Sequence, residues 1–380
     1  MGTPPLKSPR NLDGVVAAST RLSHVDGQAG QLTIAGYALE ELAGRVTFEQ
    51  LAHLLWTGSL PAPQEFAEIS RQMARLRPLP PKTLEVVRAA ASVPPIDALR
   101  MACSTLSLDL ENPDDISPAA DLAAARLLTA RLPTALAAHL RVARGEEPLA
   151  PRADLSHAAN FLYMVHGREP DPVAARALDS YWVTVMDHGL NASTFTARVI
   201  ASTRSDMVSA VTGAIGALKG PLHGGAPGPV LDMLREIRTA GRAEAWLRNE
   251  LAAGRRIMGF GHRVYKVRDP RADVLSRVAE TLGAARLENR QLYDLAREVE
   301  KIAVRLLEEQ KPGRNLRTNV EFFTALVLQA LGLEPRAFVA MFACGRTAGW
   351  CAHVIEQRAE DHLIRPQSEY AGPKGLKLAR

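Results

Sequence analysis

The chain has 380 residues, 47% hydrophobic and 5% aromatic, with 46 Lys and Arg against 41 Asp and Glu and a formal net charge of +5. This length exceeds one ordinary core, so two domains, or one domain with an insert, are expected. Ala and Leu are abundant and aromatics scarce, which favours helix over sheet. The basic residues are interleaved with acidic ones, which argues against the clustered tail or stripe of a nucleic-acid binder.

Residues 1–10, MGTPPLKSPR, read as a flexible tail. They have no apolar stretch, so they are no signal peptide, and Leu6 breaks the myristoylation pattern. Residues 13–36 alternate short apolar pairs with Gly and Asp, which predicts a small β hairpin. Helices follow. FEQLAHLLW is expected to start after Thr47 and to stop at Gly58. PQEFAEISRQMARL and PKTLEVVRAAASV carry the same spacing. Residues 118–144 read as one or two Ala-rich helices. SHAANFLYMVHG has Ser156 as an N-cap and Gly167 as its stop, and another helix runs through 172–186.

LKGPLHGGAPGP (218–229) is a sharp break, with four Gly and three Pro in twelve residues. It demands unusual backbone angles or a hinge. KPGRNLRTN (311–319) is a second break, after the amphipathic helix LAREVEKIAVRLLEEQ. These breaks predict a small domain at 221–324 and a large domain formed by 11–220 and 325–380. No apolar run is expected to reach bilayer-spanning length. Cys103, Cys344 and Cys351 lack a CxxC spacing, which argues against a disulfide framework or a zinc site and fits a reducing cytoplasm.

Three segments concentrate chemistry. In DHGLNAST (187–194), Asp187 and His188 end an apolar helix, and Asn191, Ser193 and Thr194 can cap the next one. In GPLHGGA (220–226), His223 sits among residues that let backbone approach closely. A helix begins just after it, and its positive N-terminal end disfavours imidazolium. His223 is therefore expected to be a neutral hydrogen-bond donor, suited to polarising a carbonyl. In GFGHRVYKVRDPR (259–271), His262 is followed by Lys266, Arg268 and Arg271.

Each feature has a plainer reading. A single His is more often structural than catalytic. A lone Gly-x-Gly is weak evidence for a phosphate loop. Three separated His are also compatible with zinc. None of them has a short-range ligand partner, however, and the cations beside His262 repel a dication and suit an anion. Arg346 lies in the otherwise apolar segment FVAMFACGRTAGWCAHVIEQ. Burying it requires a carboxylate or phosphate partner, whether internal or a ligand. Arg365 lies in IRPQSEYAG. Glu321 opens the apolar helix TNVEFFTALVL, where a first-turn stabilising role is the simple alternative. Taken together, a neutral His donor, a second His, a carboxylate base and several Arg suit proton abstraction beside a carbonyl followed by carbon–carbon bond formation.

The chain resembles citrate synthase, of the shorter bacterial and archaeal type, from about Gly14 to Gly372. The segments SHVDGQAGQLTIAGY, SHAANFLYM, DHGLNASTF, LKGPLHGGA, MGFGHRVYKVRDPRA, TNVEFF, GRTAGWCAHVIEQ and RPQSEYAG follow in that family's order. GPLHGG with GFGHRVYK–DPR is the most specific part. The resemblance implies an all-α, two-domain cytoplasmic homodimer of the tricarboxylic acid cycle. Its substrates would be oxaloacetate and an acyl-CoA thioester, with no metal or other cofactor, no nucleic acid and no membrane. It implies His223, His262 and Glu321 as catalytic residues. His188, Arg271 and Arg346 are the implied oxaloacetate ligands, with Arg365 supplied across the dimer. Lys266 and the Gly259–Phe260–Gly261 turn are the implied coenzyme A contacts.

Two positions depart from the family pattern. Glu321 stands where Asp is usual, and GGAPGP, with Pro227, replaces the common GGANE. A carboxylate longer by one methylene matters for placement, since ~1 Å of misplacement is worth about 100-fold in rate. The alternatives kept open are 2-methylcitrate synthase acting on propionyl-CoA, a non-catalytic acyl-CoA or oxaloacetate binder, and, remotely, a metal-dependent hydrolase.

Overall fold

The computed structural model describes residues 12, 14–110, 112, 114–224 and 227–378, so the tail expected at 1–10 lies outside the described residues. The chain opens with β1 (Ser23–Asp26), β2 (Gln31–Ile34) and β3 (Tyr37–Ala38), an antiparallel sheet in the order β1-β2-β3. Ser23 pairs with Ile34 and Asp26 with Gln31, and Ile34 pairs with Tyr37. The Asp26 carboxylate closes the first turn by accepting from the Gln28 and Ala29 N–H groups at 2.9 and 2.8 Å. The expected hairpin is therefore present, extended by a third short strand.

The other long elements among the described residues are helices. The helices are α1 (Leu39–Leu42), α2 (Phe48–Thr57), α3 (Pro63–Leu76), α4 (Pro81–Ala89), α5 (Pro95–Thr105), α6 (Pro118–Val142), α7 (His157–His166) and α8 (Pro172–Val185). Then come α9 (Ala192–Ala201), α10 (Met207–Leu218), α11 (Pro227–Ile237), α12 (Ala240–Ala252), α13 (Pro270–Ala285), α14 (Leu287–Gln310), α15 (Val320–Ala330) and α16 (Phe338–Glu360). Their ends follow capping chemistry. Thr47 forms a capping box with Gln50 at the start of α2, and Gly58 closes that helix at φ +89°. Ser156, Asp171, Asn191, Asp269 and Asn319 each accept a backbone N–H at the start of α7, α8, α9, α13 and α15. Residues 118–142 form one helix, although Pro133 lies inside it.

The core is one continuous apolar cluster running from Leu22 to Val354. Its centre is α16, which packs against α2, α5, α6, α8, α9 and α10. The stretch Pro335–Glu360 is long and apolar enough to cross a bilayer, contrary to the sequence expectation, but 83% of its most apolar window is buried inside the protein. Its apolarity serves the interior. Glycines on α16 let α8 approach closely. A Cβ at Gly345 would lie 2.7 Å from Trp182 and Val185 side-chain atoms, and one at Gly349 would lie 2.1 Å from the Met186 carbonyl oxygen. α13 packs along α8, so the start of α13 and the end of α8 carry two of the three chemistry-bearing segments. α15 runs unbroken through residues 324 and 325, the boundary expected between domains.

Candidate active site

Close packing of α8 on α16 delivers Arg346 to the interior. Its Nε donates to the Val185 carbonyl at 2.5 Å, its guanidinium lies 4.7 Å from the Phe342 ring centre, and Nη2 has no partner among the described residues. Burial pulls its pKa down to about 10, and Arg271 acts in the same direction. A buried guanidinium with an unused donor is costly unless an anion completes it.

Arg271, at the start of α13, has the opposite situation. Nε and Nη2 form a two-point pair with Asp269 at 3.0 and 2.8 Å. Asp269 also accepts the Arg271 and Val320 N–H groups at 3.0 and 3.2 Å. Burial disfavours the Arg271 charge, but Asp269 outweighs it and the pKa is raised. Asp269 thus fixes the fork and joins the start of α13 to the start of α15.

His188 and His262 face each other edge to face, ring centres 5.6 Å apart. Tyr265 packs against both rings, and its hydroxyl lies 3.1 Å from His188 Nε2. His262 Nδ1 accepts the Val264 and Tyr265 N–H groups at 3.0 and 3.1 Å. That assigns the ring hydrogen to Nε2. His262 Nε2 and Arg271 Nη2 lie 3.4 Å apart. With this tautomer both are donors, and they converge on a point suited to a carbonyl or carboxylate oxygen. Burial, then Arg271, lowers the His262 pKa to about 4. Burial, then Arg271 and Arg346, takes His188 well below its ordinary value. Both rings are neutral near pH 7.

His223 sits in the turn between α10 and α11. Its Nε2 accepts the Ser193 N–H at 3.2 Å and lies 2.9 Å from Ser193 Oγ. Ser193 Oγ donates to Asn191 at 2.8 Å and accepts the Trp350 indole N–H at 3.1 Å. Nδ1 therefore carries the His223 hydrogen, the reverse of His262. The pKa is lowered to about 4, first by burial and then by Arg346. The expected neutrality follows, but these causes, not a helix N-terminus, lead it.

Glu321 is half-buried in the first turn of α15, where its N–H donates to Asn319 Oδ1 at 3.1 Å. Burial pushes its carboxyl up to about 7, with Arg271 opposing and Asp269 assisting. That value suits a base working near neutrality. The Gly259–Phe260–Gly261 turn takes φ +84° and +88° at its glycines and bridges to Thr318 through Phe260. Asn319 N–H donates to the Gly259 carbonyl at 3.0 Å, and Asn319 Nδ2 to the Gly261 carbonyl at 3.0 Å. The turn thus braces the start of the helix that carries Glu321.

The structure brings His188, His262, Arg271 and Arg346 together, with Glu321 in electrostatic reach of Arg271. His223 joins through Ser193 and Arg346. Two expected residues lie apart. Lys266 is exposed, its Nζ 3.4 Å from the Arg263 carbonyl. Arg365 is exposed in the segment after α16 and donates to the neighbouring Pro366 carbonyl at 2.8 Å. Sequence reasoning did not single out Tyr265, Asp269, Trp350 or the support behind His188. There, His353 Nε2 contacts Asp187 at 3.0 Å, and Arg198 reaches His353 Nδ1 at 3.1 Å and Glu356 at 2.6 Å. Burial pushes Asp187 up, but His353, Ser23 and Arg346 outweigh it and its pKa is lowered. The Asp before Pro270 was the one readable signal, as an N-cap.

An all-α protein with neutral, oppositely oriented histidines beside two buried guanidiniums is built to polarise carbonyls of a small anionic substrate. Residues 11–367 match the family model described as citrate synthase, C-terminal domain. A citrate synthase from Haloferax volcanii is 41% identical over 97% of this chain and 96% of its own. A 2-methylcitrate synthase from Mycobacterium tuberculosis is 39% identical over 96% of this chain and 90% of its own. Among solved structures, the ternary complex of carboxymethyl coenzyme A and oxaloacetate with the Thermoplasma acidophilum citrate synthase superposes with a TM-score of 0.88 at 28% identity, covering 97% of both chains. The chain belongs to the citrate synthase family.

Proposed function

We infer that this chain condenses acetyl-CoA with oxaloacetate and water to give citrate and free coenzyme A. The observation that carries this reading is the unpartnered Arg346 Nη2 beside the converging donors of His262 and Arg271. A dicarboxylate with a central ketone is the ligand class that such a pocket completes. In this reading Arg346, Arg271 and His188 hold the carboxylates, and His262 Nε2–H donates to the ketone oxygen. Glu321 removes a proton from the acyl methyl group while His223 Nδ1–H donates to the thioester oxygen. The resulting enolate carbon attacks the polarised ketone, and the new alkoxide takes up the proton that Glu321 removed. Water then adds to the thioester carbonyl as the coenzyme A thiolate leaves and takes a proton from that water to become the free thiol. Neutral donors suit both carbonyls, since an imidazole gives a strong hydrogen bond without full proton transfer.

Lys266 and the Gly259–Gly261 turn are assigned to coenzyme A, on the resemblance of that segment and the exposure of Lys266 beside the pocket loop. The proposed assembly is a cytoplasmic homodimer in which Arg365 reaches the oxaloacetate of its partner. Its exposed position in the segment after α16 supports that assignment. A large domain at 11–220 and 325–380 and a small domain at 221–324 are proposed to enclose the substrates. No metal or prosthetic group is assigned a role.

The test is release of free thiol from acetyl-CoA, measured with a thiol-reactive dye. Release that depends on oxaloacetate supports the assignment. No release in the presence of both substrates overturns the enzyme reading. The presence of a 2-methylcitrate synthase among the relatives favours one second reading, propionyl-CoA as the acyl donor. One methylene in an apolar pocket is worth only ~1–3 kcal/mol. A higher kcat/KM for propionyl-CoA than for acetyl-CoA would select that reading.

A further inference from the structure

The two histidine walls of the pocket come from different parts of the chain, and the N-terminal hairpin touches both. At the start of β1, Ser23 Oγ donates to the Asp187 carboxylate in a short hydrogen bond and accepts the Gly189 N–H at 2.8 Å. These residues flank His188. Two residues on, the Val25 side chain lies 3.6 Å from the place a Cβ at Gly189 would take. At the β1–β2 turn, the Gly27 carbonyl accepts the Lys266 N–H at 2.8 Å. A Cβ on Gly27 would lie 2.4 Å from the Val264 carbonyl oxygen. Val264 and Tyr265 are the residues whose N–H groups fix His262. Gly27 has no left-handed backbone angle, so close approach, not φ, requires glycine there.

We propose that the hairpin is a positioning element for the oxaloacetate pocket, with Ser23 and Gly27 setting the separation of His188 from His262. The proposal rests on the reading of that pocket as an oxaloacetate site. Ser23 anchors one wall through Asp187 and Gly189, and Gly27 seats the other through Val264 and Lys266. Three residues of paired strand, His24 to Asp26, lie between these anchors and form a stiff spacer. The histidines gain their geometry from it, although neither Ser23 nor Gly27 touches substrate.

The experiment measures oxaloacetate binding by calorimetry, steady-state kinetics and thermal midpoint on the full chain. Gly27→Ala must push the Val264 carbonyl back by ~1 Å, and its kcat/KM for oxaloacetate is expected to fall by about 100-fold. Ser23→Ala leaves the Gly189 N–H without its acceptor and Asp187 with His353 but no hydroxyl donor, and its oxaloacetate Kd is expected to rise by about tenfold. Ser23→Thr keeps the hydroxyl and is expected to restore binding. Gly36→Ala is the control. It strains the same sheet at φ +88° with no neighbour within 4 Å, so it should lower the thermal midpoint without changing Kd. The proposal is overturned if Ser23→Ala and Gly27→Ala lose thermal stability like Gly36→Ala while oxaloacetate Kd stays within twofold. If Gly27→Ala fails to fold, the Ser23→Ala and Ser23→Thr pair decides by the same criterion. Absence of oxaloacetate binding to the unmodified protein overturns the pocket assignment, and the proposal with it.

Discussion

Glu321→Gln separates what the folded protein tolerates from what the reaction needs. The Glu321 carboxyl is pushed from 4.5 up to about 7, chiefly by burial. Its folded pKa lies above its unfolded value, so the folded state holds a proton that the unfolded state gives up between those pH values. Stability is therefore fully present below pH 4.5 and is lost as pH rises through about 7. At about 1.4 kcal/mol per pH unit the full penalty is ~3 kcal/mol, and partial solvent contact reduces it to ~2 kcal/mol. Gln carries no charge, so the variant is expected to be more stable than the parent by ~2 kcal/mol at pH 8, with the difference shrinking under ~1 kcal/mol by pH 5. Turnover should fall by about 1,000-fold, the scale of a lost general base, while oxaloacetate still binds. In the parent, kcat/KM for the acyl-CoA should rise with pH and be half-maximal near pH 7. Urea unfolding at both pH values, the thiol assay and calorimetry read these outcomes. Substantial residual turnover would place the base elsewhere, and a variant equally or less stable at pH 8 would refute the raised carboxyl.

Arg346→Lys keeps the charge but loses the fork and the Val185 contact, so the oxaloacetate KM should rise by about 10- to 100-fold with a smaller change in acetyl-CoA KM. Equal changes in both constants would contradict its assignment to oxaloacetate. Buried His157, pushed down to about 3, joins His223 and His262 at about 4. Folded pKa values below 6.5 give stability that is present above pH 6.5 and lost as pH falls towards 4. Glu321, and Asp179 at about 8, act in the other direction. The histidines outnumber them, so the urea midpoint should fall between pH 6.5 and 4, and a flat midpoint would count against neutral burial. Mixing Arg365→Ala with Glu321→Gln subunits tests sharing across a dimer. A heterodimer carries one intact site, so an equal mixture of two inactive proteins should recover about one quarter of parental activity. No recovery, despite exchange shown by native mass spectrometry, would refute action in trans.

Much of this architecture was readable because capping residues declare helix ends. Thr47 with Gln50, Ser156 and Asn191 are local signals, and each does what its spacing predicts. The hairpin was equally readable from Gly and Asp placement, but β3 is only two residues long and carries no period. Site contacts depend on distant packing, and a sequence does not report that. Nothing local to Arg346 shows that glycines on either side of it admit α8, or that Val185 takes its Nε. Ser193 read only as a possible cap, yet it sets the His223 tautomer from thirty residues away. Asp269 caps the start of α13 and is also the anchor of Arg271. Residues with two tasks show the nearer one in sequence.

Arg271 and Arg346 perform two tasks that pull on one another. Their charges suit them to hold carboxylates, and those same charges help to keep His188, His223 and His262 neutral by lowering their pKa values. A bound dianion offsets that field. The histidine pKa values should then rise on binding, because the two cations that disfavour imidazolium are paired. Both tasks require that the two guanidiniums stay buried, which the glycines of α16 and the Asp269 fork secure.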